Sequence, residues 1–116
     1  MIEFIKKLDF EERTMTFWNR LIIEINENKN VLNYVDSEKN IRNTEIENNA
    51  LEKYFEILFR VIDDWKEEYR MDGVLDGTKW SLIIEFKDGR TKKYVGINDS
   101  PLNFDYLEKI NKKLIE

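Results

Sequence analysis

The residues that could do chemistry in this chain are few and of limited type. Asp76 stands ahead of Glu85-Phe86-Lys87, and an Asp at a strand start with Glu-x-Lys on a strand is how metal-dependent nucleases hold Mg2+ and orient a water. An acidic stretch, Asp63-Asp64-Trp65-Lys66-Glu67-Glu68, and a basic group, Lys87, Arg90, Lys92 and Lys93, complete the candidates. The chain has no Cys and no His. That removes thiolate nucleophiles and thiolate zinc sites, together with every Ser-His or Cys-His mechanism. Any catalysis would fall to carboxylates, Lys, Tyr or backbone amides.

What these residues can do depends on the elements that carry them. Asp88-Gly89 lies between two stretches of alternating hydrophobicity and predicts a β-hairpin over residues 79–97. A two-residue loop would set Lys87 opposite Arg90, Leu82 opposite Val95, Ile83 opposite Tyr94 and Glu85 opposite Lys92. Side chains alternate along a strand, so Trp80, Leu82, Ile84 and Phe86 then face the core. Glu85 would face solvent in a cross-strand ion pair, away from any metal, which argues against the nuclease reading. The acidic stretch falls on a helix, where its carboxylates splay apart with Lys66 and Arg70 interleaved. No Asp-x-Asp-x-Asp-Gly loop accompanies it. The basic hairpin has only Tyr94 as an aromatic on its outer face, too little for nucleic-acid stacking, and Lys on an exposed strand serves to protect a sheet edge.

The remaining elements follow from periodicity. Ile2 and Phe4, Met15 and Phe17, then Leu21, Ile23 and Ile25 alternate, and Val31-Leu32-Asn33-Tyr34-Val35 returns after the Asn-rich turn at residues 26–30. A fourth short strand is expected near residues 39–42. A long amphipathic helix follows, opened by a Thr44/Glu47 capping box, its apolar stripe running from Ile46 through Leu51, Phe55, Leu58, Ile62 and Trp65 to Tyr69, with Gly73 as its stop. Glu56, Arg60 and Asp64 occupy the opposite face. Ser100 and Pro101 predict the start of a last helix, with Phe104, Leu107, Ile110 and Leu114 as its docking stripe. The order β-β-β-(β)-α-β-β-α predicts one α+β domain over residues 1–116, an antiparallel sheet with a long and a short helix packed on one face.

Composition narrows the function classes. With 116 residues, 41% hydrophobic and 37% charged, the chain can bury one core beneath a soluble surface. No apolar run is long enough to span a bilayer and none resembles a signal peptide, so the expected location is cytoplasmic, with no membrane partner. The net charge of −5 opposes binding to nucleic acid. Charge is unevenly distributed, with eight Lys/Arg against six Asp/Glu from Gly77 onward and eleven against eighteen before it.

Trp65 and Tyr69, then Leu75-Asp76-Gly77 with Trp80-Ser81-Leu82, then Phe86, Asp88-Gly89, Gly96, Asn98, Pro101 and Phe104 carry a resemblance over about the C-terminal half. The pattern is similar to a group of uncharacterised small proteins of low-GC Gram-positive bacteria and their phages. Where that group has a Gly-Ser-Asn-small-aromatic-Pro run, this chain has Gly96-Ile97-Asn98-Asp99-Ser100-Pro101. The resemblance implies the hairpin and the helix after it, and no activity. Together these features predict a non-enzymatic, acidic protein-binding domain without cofactor or metal. The expected kind is an inhibitor such as an immunity protein, an antitoxin or a phage anti-defence (anti-CRISPR-like) protein, and a homodimer is compatible with it. The expected contact residues are Ile83, Glu85, Tyr94, Lys92, Glu56 and Asp64. The alternatives are a hydrolase using Asp76 and Glu85, or a nucleic-acid binder using the basic hairpin. The loops at residues 76–78 and 98–100 could converge as a small polar site.

Overall fold

The computed structural model describes residues 1–73 and 77–116. A 3-10 turn, Ile2–Phe4, precedes β1 (Ile5–Arg13), β2 (Trp18–Ile25), β3 (Asn30–Asp36) and β4 (Ile41–Glu45). Then come α1 (Asn48–Val61), β5 (Glu68–Arg70), β6 (Lys79–Phe86), β7 (Thr91–Ile97) and α2 (Phe104–Ile115). The fold is α+β, with the strands of one sheet in the order β4-β3-β2-β1-β6-β7-β5. All neighbours are antiparallel except β5, which joins β7 in parallel.

Both helices cover one face. Phe104 of α2 meets Phe10 and Trp80, and Phe59 of α1 stacks on Phe86. Between the layers lie Ile5, Leu8, Leu21, Ile23, Leu32, Leu82 and Ile84 from the sheet, with Leu51, Phe55, Leu58, Ile62 and Leu107 from the helical side, all 0–1% exposed. Each such side chain contributes about 1.5–3 kcal/mol by leaving water. The other face carries mixed charge, as a one-sided antiparallel sheet does. Lys7 lies between Glu24 and Glu85 in the strand register, and Arg20 donates to both carboxylate oxygens of Asp9, at 3.1 and 2.7 Å.

Several expectations need correction. The first strand spans residues 5–13 and neither alternating pair predicted at the N-terminus forms one: Ile2–Phe4 is helical and Met15 lies in the β1–β2 turn. A register shift between Ile5 and Lys7 spaces the buried residues at 5, 8 and 10, so the two-residue period is broken where it would have been recognised. Thr44 belongs to β4 and makes no capping box. The entry to α1 is held from β3 instead, where the buried Asn30 Nδ2 donates to the Ile46 carbonyl (3.1 Å) and to Asn48 Oδ1 (2.7 Å).

At its other end α1 stops at Val61, well short of Gly73. Asp63 and Asp64 would put negative charge at the carbonyl end of the helix dipole, and the Val61 carbonyl accepts instead from Asn103 Nδ2 at 2.8 Å. Trp65 and Tyr69, freed from the helix, pack on Trp80. The last helix begins at Phe104 with Asn103 as its N-cap residue, three positions beyond Pro101.

The hairpin register is shifted by one residue. Phe86 N donates to Arg90 O and Gly89 N to Phe86 O, which makes a three-residue loop with Gly89 at φ +91°. Ser81 therefore pairs with Val95, Leu82 with Tyr94, Ile83 with Lys93 and Glu85 with Thr91. Trp80, Leu82 and Ile84 face the core as expected, and Tyr94 joins them. Gly96 allows the crossing above it, where the Trp80 indole donates to the Asp99 carbonyl at 2.9 Å. A β-carbon at Gly96 would collide with both partners of that hydrogen bond.

Candidate functional site

The expected contact residues do not gather. Ile83 and Glu85 are half-buried on the face away from the helices, Ile83 between Asp9 and Lys93, Glu85 between Lys7 and Thr91. The supposed partner of Glu85, Lys92, lies on the helical side, 5.8 Å over the Phe59 ring. Tyr94 is 8% exposed and packs against Trp65 on the core side of the sheet, not on the outer face where it was expected. Glu56 pairs with Arg60 at 2.9 Å on the exposed face of α1, and Asp64 lies past the end of that helix. Asp76 lies outside the described residues.

The site the fold does build lies beside α2. Seven strands about 4.8 Å apart are wider than two helices of about 10 Å diameter can cover. A strip over β2, β3 and β4 stays open as a cleft of about 680 Å3. Its floor includes Phe10, Asn19 and Tyr34, and its wall is the flank of α2 from Glu108 through Asn111 and Lys112 to Ile115. Five carboxylate residues line it (Glu12, Asp36, Glu38, Glu108 and Glu116) against two cations, Arg42 and Lys112.

One of these carboxylates has a settled role. Asp36, 6% exposed, accepts from Glu38 N, Asn40 N, Asn40 Nδ2 and the Tyr34 hydroxyl at 2.9–3.1 Å. Burial alone would raise its pKa, but these hydrogen bonds hold it below the ordinary value, so it stays charged and fixes the β3–β4 turn. Burial, followed by the bond to Asp36, pushes the Tyr34 hydroxyl up and keeps it protonated.

Glu12 and Glu108 behave differently. Desolvation first, then a hydrogen bond with Glu12 and repulsion from Glu12 and Asp105, push the Glu108 carboxyl up to about 7. Glu108 therefore keeps its proton across part of the range in which free carboxyls have lost theirs. The pair also lines a second cavity, of about 310 Å3, with Thr78, Asn98, Asp99 and Ser100. Of the two loops expected to converge, the described parts meet there, Asn98 N donating to the Thr78 carbonyl at 2.8 Å. Among the described residues no three acidic groups are placed to hold a metal ion.

The innermost polar residue of the cleft is Asn111. It is 5% exposed, and its Oδ1 accepts from the buried Tyr54 hydroxyl at 2.6 Å while Nδ2 has no hydrogen-bond partner. Sequence reasoning passed over all three central residues. Glu12 was lost with β1. Glu108 was one acid among many. Asn111 did leave a signal: it sits four residues after Leu107 and three before Leu114, where the docking stripe of α2 calls for an apolar side chain. Comparison with known proteins gives no match among family models, curated proteins or solved structures.

Proposed function

We propose that the protein is a non-enzymatic binding domain of the inhibitor kind, the role of immunity proteins, antitoxins and phage anti-defence proteins, and that it covers a basic surface of a partner protein with the cleft beside α2. The observation that carries this reading is the make-up of the cleft. Phe17, Ile41 and Ile115 supply apolar contact area, and carboxylates outnumber cations five to two. Such a surface favours a cationic, partly apolar partner and repels polyanions. A channel that binds nucleic acid through Lys and Arg is a target of this chemistry, and the net charge of −5 adds steering over a longer range.

The test is affinity capture from a host lysate, with the captured protein identified and its affinity then measured. The exposed rim residues Glu38 and Glu116 are reversed together (Glu38→Lys, Glu116→Lys), and Lys93→Glu on the far face of the sheet serves as control. The rim variant should bind at least tenfold more weakly and the control should bind normally. Undiminished binding by the rim variant, or binding lost equally in the control, would rule out the cleft as the contact surface.

A further inference from the structure

Asn111 sets the cleft apart from an ordinary acidic surface. A buried carboxamide needs partners for both of its ends, and Tyr54 can serve only one of them. Turning the carboxamide round would pass the deficit from Nδ2 to Oδ1. The vacant end belongs to a residue that lines the cleft, one helical turn from Glu108 on the same flank of α2. The inner cleft thus combines a carboxyl pair, which calls for a cation, with an amide N–H group, which calls for a carbonyl.

One kind of occupant supplies both. Resting on the binding role proposed above, we infer that the cleft receives a lysine or arginine side chain from an extended segment of the partner protein, its cation at Glu12 and Glu108 and a backbone carbonyl of the same segment at Asn111 Nδ2. The aliphatic stem of such a side chain would lie along Ile115, as long basic side chains do on apolar surface. A free polyamine satisfies the carboxylates but has no carbonyl to offer Asn111.

The experiment uses the whole 15N-labelled chain and four probes: the blocked pentapeptide Ac-Ala-Ala-Lys-Ala-Ala-NH2, its Arg and norleucine counterparts, and spermidine. The Lys and Arg peptides should shift the Asn111 side-chain amide and the backbone amides of Glu12 and Glu108 along one saturable curve. The norleucine peptide should bind at least tenfold more weakly, and spermidine should leave the Asn111 side chain unmoved. The double variant Glu12→Gln, Glu108→Gln, which keeps the shape of both groups, should lose at least tenfold in affinity for the Lys peptide while retaining its folded spectrum. Equal binding of the norleucine peptide, full affinity in the double variant, or an Asn111 amide unmoved at saturation would each overturn the inference. If the peptides fail while rim reversal still abolishes partner capture, the inserted side chain is wrong and the binding role stands. If the peptides bind as described but rim reversal leaves capture intact, the partner is held by another surface and the cleft is not the contact surface of the proposed binding role.

Discussion

Tyr54 and Asn111 meet where α1 packs against α2, and their hydrogen bond is buried at both ends. Tyr54→Phe leaves Asn111 with no partner at either end of its carboxamide and should cost about 1–3 kcal/mol. Asn111→Leu leaves the Tyr54 hydroxyl unpaired at similar cost, whereas the double variant removes both polar groups and should approach wild-type stability. Urea titration of the four proteins gives the coupling, and additive losses would show that the bond contributes nothing. Glu108 makes a prediction in pH. Its folded pKa of about 7 lies above the ordinary 4.5, so the folded state holds the proton more tightly than the unfolded chain. The stability this group contributes is therefore complete below about pH 4.5 and lost as the pH rises through about 7. Asp36, Asp88 and Glu3, all held low, act in the opposite sense and lose their contribution under acid. Glu108→Gln should flatten the fall in stability between pH 5 and 8, with solvent screening keeping the change to about 1 kcal/mol or less. Thermal midpoints of both proteins across that range check the sign.

Asn103 joins three elements. Its Nδ2 donates to the last carbonyl of α1, its Oδ1 accepts from the Trp65 indole at 2.7 Å, and it stands at the N-cap of α2. Asn103→Ala should destabilise by about 1–2 kcal/mol, because the bonds to the Val61 carbonyl and the Trp65 indole are both lost. The loss should be accompanied by a change in Trp65 fluorescence, and a midpoint within error of wild type would show these bonds to be incidental. The elements also show how far the sequence could be read. The stripes of both helices, the alternation of β2 and the inward set Trp80, Leu82 and Ile84 were legible because each keeps an unbroken period. β1 was not, since its bulge shifts the pattern by one residue and charged residues occupy the rest of the strand. Asp88-Gly89 marked the turn correctly but left the loop length open, and one added residue moved Tyr94 from the outer face to the core. The carboxyl pair was illegible because the sheet, not local spacing, brings Glu12 to Glu108 from 96 positions away.

At the scale of the whole molecule, the acidic first part and basic last part of the sequence do not become two faces. Glu108 and Glu116, from the basic part, join Glu12, Asp36 and Glu38 around one cleft. The sheet is likewise assembled from distant segments, because β1 in its middle pairs on one side with neighbouring β2 and on the other with β6. Pairing across such a separation requires closure of a long loop, so refolding followed by tryptophan fluorescence should take milliseconds to seconds. A microsecond phase carrying the full amplitude would contradict this. Leu8→Ala, at a fully buried position between β2 and β6, should cost about 2–5 kcal/mol. The central place of β1 also bears on biosynthesis. A ribosome working at roughly 5–20 residues per second needs several seconds to get from Arg13 to Phe86. Throughout that interval the nascent meander of β1 to β4 has an unsatisfied backbone edge at Ile5–Arg13, so the growing chain is open to mispairing with its neighbours on a polysome until its own sixth strand emerges.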